Sequence, residues 1–164
     1  MRKGILLALL LLLLPACRVV ITDAETEVGV RFGYRAGGVI QRFEPDRGPG
    51  AVYRVGEAVR FFVDLARPGY VTLVITDPDG RRYALEEARW LPAGWSELPP
   101  RWAGYRYTAE PPTGRHRATL YYGERRGAVA FSLVLRSGRA ATAGIRVDER
   151  VRTDRAETYL WILP

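Results

Sequence analysis

Cysteine occurs once in this 164-residue chain, at Cys17, and histidine once, at His116; asparagine is absent and Gln41 is the only glutamine. A single cysteine excludes any disulfide within the chain. It also excludes a thiolate zinc cage, because zinc needs three or four Cys, His or carboxylate ligands as a set. One histidine leaves a hydrolase triad a single place to form, and none of Ser96, Ser132 and Ser137 sits in a nucleophile motif. Arg115 and Arg117 flank His116, so the expected place of its ring is a solvated strand position and not a proton or metal site. Asp77 and Asp79 lack the further carboxylates of a calcium loop. Glu86-Glu87 and Asp148-Glu149 are adjacent pairs, which a strand sends to opposite faces, so neither makes a carboxylate dyad. These absences predict a protein with no catalytic residues, no metal and no cofactor.

Lysine is nearly missing as well. Lys3 is the only one, and the formal net charge of +7 is carried by arginine. Depletion of Asn and Gln with a bias to Arg fits a GC-rich genome or a hot habitat. The positive excess is moderate and spread along the chain, which favours loose attraction to anionic lipid, wall polymer or glycan. No basic run is long enough to predict a nucleic-acid partner.

What the sequence does have begins at its first residues. Arg2 and Lys3 precede an apolar run from Gly4 to Leu14, the charged and hydrophobic regions of an export signal. A bilayer-spanning helix needs roughly 20 apolar residues, so this shorter run predicts a cleaved signal and not an anchor. The following Leu14-Pro15-Ala16-Cys17 resembles the lipobox of bacterial lipoproteins, although Pro15 departs from its usual small residue. The resemblance implies that Leu14 and Ala16 are read by the signal peptidase and that Cys17 is lipidated. It places the chain in the cell envelope, held by lipid on the non-cytoplasmic side. Arg18 stands where an aspartate retains some lipoproteins at the inner membrane, which favours the outer membrane in an organism that has one.

The rest reads as short strands separated by Gly and Pro turns, with no stretch of helical period. Val28, Val30, Phe32 and Tyr34 alternate with Gly29, Arg31, Gly33 and Arg35, predicting a first strand over Glu27 to Arg35. Val59, Phe61 and Val63 alternate with Arg60, Phe62 and Asp64, the pattern of a half-buried strand. Val71 to Ile75 is apolar at nearly every position and predicts a strand covered on both faces. It leads through Asp77-Pro78-Asp79-Gly80, a turn with Pro at its second place and Gly where positive φ is needed, into a partner strand over Arg81 to Leu85. Arg115 to Tyr122 and Ala128 to Leu135 predict a second hairpin, with Val129, Phe131, Leu133 and Leu135 facing the core. Ile145 and Val147 are expected inward, and the apolar stretch Thr158 to Leu163 is expected to pair at a sheet edge. Such spacing predicts an all-β fold, an antiparallel, immunoglobulin-like two-sheet β-sandwich after a cleaved signal peptide. The predicted plan is a signal peptide over residues 1–16, a lipidated N-terminus and tether over 17–26, and one β-sandwich domain over 27–164.

Tyr53, Gly56-Glu57, Val59 and Phe61, followed by Gly69-Tyr70-Val71 and Asp77-Pro78-Asp79-Gly80, resemble the domain of unknown function 4384 family, found in bacterial envelope and secreted proteins. Pro112-x-Gly114 leading into Arg117 to Tyr122 is similar to the close of that domain. The resemblance covers about Val39 to Leu135 and implies a fold without catalytic residues. The segment between Glu86 and Pro112 is longer than the family's spacing.

That segment holds Trp90, Trp95, Trp102, Tyr105 and Tyr107 among five prolines. Large rings on stiff loops either cap the open end of a sandwich or present a binding surface. Capping is the expected role, with Trp95, Trp102 and Tyr105 the residues of a ligand surface if there is one. The function these features predict is a lipid-anchored, non-enzymatic envelope adaptor or structural module that binds protein or wall components. A glycan-binding module using the same rings is the alternative.

Overall fold

The computed structural model describes residues 38–134, 142–148 and 150–164, all of which fall in one compact unit. Twelve strands carry the fold: β1 Ile40–Pro45, β2 Ala51–Arg54, β3 Ala58–Val59, β4 Phe61–Leu65, β5 Gly69–Thr76, β6 Arg82–Leu91, β7 Gly94–Leu98, β8 Tyr107–Thr108, β9 Gly114–Gly123, β10 Val129–Val134, β11 Thr142–Val147 and β12 Thr153–Leu163. A 3-10 turn, Arg101–Ala103, follows β7. The expected strand over Glu27 to Arg35, the lipobox residues Leu14, Ala16 and Cys17, and Leu135 lie outside the described residues.

The fold is an all-β sandwich. One sheet has the order β1-β4-β7 and the other β2-β12-β9-β5-β6, with the two-stranded pairs β3-β8 and β10-β11 beside them. Period-two alternation builds the interface between the sheets. Phe61, Val63 and Leu65 of β4 turn inward with Ile40, Phe43 and Leu98 from its neighbours, and meet Val71, Leu73, Ile75, Ala118, Leu120, Leu160 and Ile162 of the larger sheet in one core. Each such aliphatic side chain contributes about 1.5–3 kcal/mol by leaving water, which offsets the entropy of ordering the strands. The run Val71 to Ile75 is buried throughout, as its lack of alternation predicts, because β5 lies between β6 and β9 with both faces covered.

The hairpin β5-β6 has the expected turn. Gly80 takes φ +82°, and the Asp77 carboxylate accepts the backbone N–H of Arg81 at 2.8 Å. Gly69 is required for a different reason, close approach. A Cβ there would lie 2.3 Å from Cε2 of buried Tyr122, whose hydroxyl donates to the Pro68 carbonyl at 2.8 Å.

Four expectations are corrected. First, β9 does not form a hairpin with β10; it pairs with β5 and β12, and β10 pairs with β11. Ala128 and Val129 are buried, but Phe131 is only partly so, because beyond Val129 this ribbon leaves the main core. Second, Val147 is exposed and Ile145 half-buried; among the described residues β11 belongs to a two-stranded ribbon with β10 and not to either larger sheet. Third, Thr158 to Leu163 belongs to an interior strand. β12 runs antiparallel to β9 and parallel to β2, so the pairing is not wholly antiparallel. Fourth, His116 is 1% exposed. Its flanking arginines sit on the opposite face of β9 by alternation, while His116 shares the inner face with Ala118, Leu120 and Tyr122.

Candidate functional site

The outer face of the β1-β4-β7 sheet is where the sequence places large rings outside the core. Strand register sets two rows across it. Arg42, Asp64 and Trp95 lie side by side in one, and Glu44, Phe62 and Glu97 in the next. Trp95 meets Phe62 edge-on, with ring centroids 6.4 Å apart and planes at 76°. The Arg42 guanidinium lies over the indole at 5.4 Å and is held by Glu44 at 2.7 Å. Trp95 nonetheless remains 57% exposed. Beside it an open depression of about 520 Å³ is lined by Asp46, Arg60, Phe62, Glu97 and Arg101. Partial burial disfavours the Glu97 carboxylate, but hydrogen bonds from Arg60 and Arg101 outweigh that and leave its pKa lowered. The face is an aromatic pair with alternating charge around it.

Trp102 and Tyr105 form a separate group, brought together by Arg89 of β6. The Arg89 guanidinium lies 5.7 Å from the Trp102 ring and donates to the Tyr105 hydroxyl at 2.6 Å. It also pairs with Glu86 at 3.1 Å. Glu86 is the centre of this group. It is buried, and its Oε1 accepts hydrogen bonds from the hydroxyls of both Tyr105 and Tyr107, the latter at 2.7 Å. Burial, reinforced by the bond to Glu86, raises the pKa of both phenols, Tyr107 far more than Tyr105. The Glu86 bond raises the pKa of Arg89. Each partner is thus held in its hydrogen-bonding state, and the loop carrying Trp102 is tied to the sheet.

The capping expectation is corrected by exposure. Trp90, Trp95 and Trp102 stand 55%, 57% and 79% exposed, and of the aromatic residues in this segment only Tyr107 enters the core. Trp95 and Trp102 are therefore surface residues, but they belong to different groups. Sequence reasoning missed Arg42, Phe62, Glu86 and Arg89. Alternation had already set Glu86 and Glu87 on opposite faces, and the structure buries the first and exposes the second. Its hydroxyl partners, 19 and 21 residues away, left no local signal. Among the described residues no cluster of His, Cys, Asp and Glu is placed to hold a metal ion, and no helix is long and apolar enough to cross a membrane.

Apart from Arg42, Glu44 and Asp46, these residues fall within one recognisable segment. Residues 52–126 match the family model described as Domain of unknown function (DUF4384). The DUF4384 match starts in β2 and ends in the turn after β9, a narrower span than the resemblance of about Val39 to Leu135. It includes the whole aromatic segment between Glu86 and Pro112. No curated protein and no solved structure gives a significant match.

Proposed function

We propose that this chain is a lipid-anchored, non-enzymatic protein of the cell envelope whose β-sandwich serves as an adaptor or structural module for protein or wall components. The observation that carries the recognition part is the outer sheet face, where Trp95 stands exposed on Phe62 and Arg42 inside a ring of paired charges. A rigid indole with a polar rim is the usual form of an interaction anchor, because it buries much area while few rotamers are lost. The short strand β7, which carries Trp95 at the end of the order β1-β4-β7, offers backbone groups for strand addition beside that anchor. Lipid on Cys17, with Leu14 and Ala16 read as the cleavage signal, would hold the sandwich at a membrane. Confinement to a surface raises the effective concentration of a weak partner.

Glycan binding is the second reading, favoured by Trp102, which is nearly free of cover and carries Arg89 on its ring. An exposed aromatic face beside a hydrogen-bonding guanidinium suits the apolar and hydroxyl faces of a sugar.

Palmitate labelling with membrane fractionation tests the anchor: the wild type is expected to carry label in the membrane fraction, and Cys17→Ala to carry none. Unlabelled, soluble wild-type protein would overturn it. Photo-crosslinking from position 62 in intact cells tests the surface, with adducts expected in the wild type and lost in Trp95→Ala. Quenching of tryptophan fluorescence by envelope polysaccharide, abolished in Trp102→Ala but not in Trp95→Ala, would replace the adaptor reading with the glycan one.

A further inference from the structure

A second concavity shares no residue with the Trp95 face and meets the Glu86 group only through Tyr107. It has a volume of about 270 Å³ and is walled by Phe61, Ile75, Leu85, Tyr107, Leu160 and Ile162, with His116 also lining it and Arg106 and Glu110 of opposite charge among its polar residues. A dry cavity of about 150 Å³ with such walls holds one benzene ring. The space here fits a body of roughly two fused rings.

His116 gives the pocket its chemistry. Its Nδ1 lies 3.2 Å from the Gly114 carbonyl oxygen. A carbonyl can only accept, so in this contact Nδ1 carries the proton, and the tautomer with its hydrogen there leaves Nε2 as an acceptor. Nε2 is buried and has no hydrogen-bond partner, one of two such side-chain atoms among the described residues; the other, on Thr158, does not line the pocket. A buried acceptor without a donor is unfavourable, and native folds rarely retain one without a use. Nε2 is also the ring nitrogen farther from the strand backbone.

We propose that this pocket binds a small, uncharged, largely apolar ligand carrying one hydroxyl group, with the hydroxyl donating to His116 Nε2 and the body held between Phe61, Ile75, Leu160 and Ile162. A donor, not an anion, suits the unpartnered Nε2 of that tautomer, and Arg106 and Glu110 give the lining one charge of each sign. An aromatic alcohol of two rings meets the volume, the apolar walls and the single polar contact together. This site is independent of the lipid anchor and of the Trp95 face.

The full chain, 15N-labelled, is titrated with 2-naphthol and with 2-methoxynaphthalene, which has a similar ring body but no donor. His116 is the only histidine, so one pair of imidazole nitrogen resonances reports the site without assignment. Saturable binding of 2-naphthol is expected, with a shift of the Nε2 resonance and an affinity about tenfold above that of the ether, the factor expected for one buried acceptor left unpaired. Thr108→Trp, at an exposed position of the lining, is expected to block both probes while leaving the fold intact. His116→Leu is expected to remove the preference between them. Equal affinities with an unmoved Nε2 resonance would overturn the proposal, as would 2-naphthol binding that persists in Thr108→Trp. Failure of 2-naphthol to saturate would do the same, since the pocket would then hold water alone.

Discussion

Tyr105 and Tyr107 donate to the same oxygen of Glu86, and replacing each by Phe should have very different costs. Tyr107 is 7% exposed and Tyr105 46%. At Tyr107 no water can take the place of the lost hydroxyl, so Tyr107→Phe forfeits a hydrogen bond to a charged group, worth about 1.5–3 kcal/mol. Glu86 keeps Tyr105 and Arg89 as partners, which puts the expected loss near the lower end, about 1.5–2 kcal/mol. At Tyr105 solvent replaces the hydroxyl, and the expected loss is below about 0.5 kcal/mol. For a domain of this size about 4 °C in Tm accompanies each kcal/mol, so Tyr107→Phe should melt roughly 6–8 °C below the wild type and Tyr105→Phe within about 2 °C of it. Urea denaturation followed by far-UV circular dichroism supplies the free energies, with unchanged m values showing that the unfolded states are comparable. Equal losses in the two variants, or a loss below about 0.5 kcal/mol for Tyr107→Phe, would refute the reasoning that burial of the shared acceptor sets the strength of the bond.

The same phenol predicts an alkaline limit. Its pKa is raised in the folded state, so its contribution is intact below the unfolded value near 10 and is lost as pH climbs above that. Stability should fall above about pH 10 by up to about 1.4 kcal/mol per pH unit for each such tyrosine, and Tyr107→Phe should reduce that slope, leaving the part due to Tyr53, which is raised by burial and by Asp46. Gly69→Ala forces a methyl group against the Tyr122 ring and should cost about 1–3 kcal/mol in urea unfolding, whereas Gly50→Ala, strained only in its backbone, should cost less. Leu73→Ala, at a fully buried site, should cost about 2–5 kcal/mol by the same measurement. Trp95→Ala should change stability by less than about 1 kcal/mol, because its indole is mostly in water.

Local chemistry was legible in the sequence and distant pairing was not. The β5-β6 hairpin could be read because Asp77-Pro78-Asp79-Gly80 fixes the turn from four adjacent residues and the strands on either side must then meet. The inward set Val59, Phe61 and Val63 could be read because alternation depends only on neighbours. Nothing local says that β9 and β10, joined by a short turn, should separate and pair elsewhere; the partner of β9 lies more than thirty residues on, in β12. The misreading of His116 has the same origin. Two flanking arginines suggest solvent only if all three side chains share a face, and on a strand they do not. The tryptophans illustrate the reverse error. Size and apolarity argued for the interior, yet Phe43, Phe61, Tyr53 and Tyr122 already fill it, and the longer loop had no core left to cap.

The placement of β12 bears on when this sandwich can exist at all. In the larger sheet it stands between β2 and β9, although it is the last of the described strands to be synthesised. Until it emerges, β2 has no ladder partner, β9 has one side open, and Leu160 and Ile162 are missing from the core. The growing chain therefore stays short of its native state until β12 has been made. For a chain read as entering an export channel, that delay is useful, since a thread can pass where a closed sandwich cannot. The strand that completes the sheet also sets the earliest moment at which the domain can close.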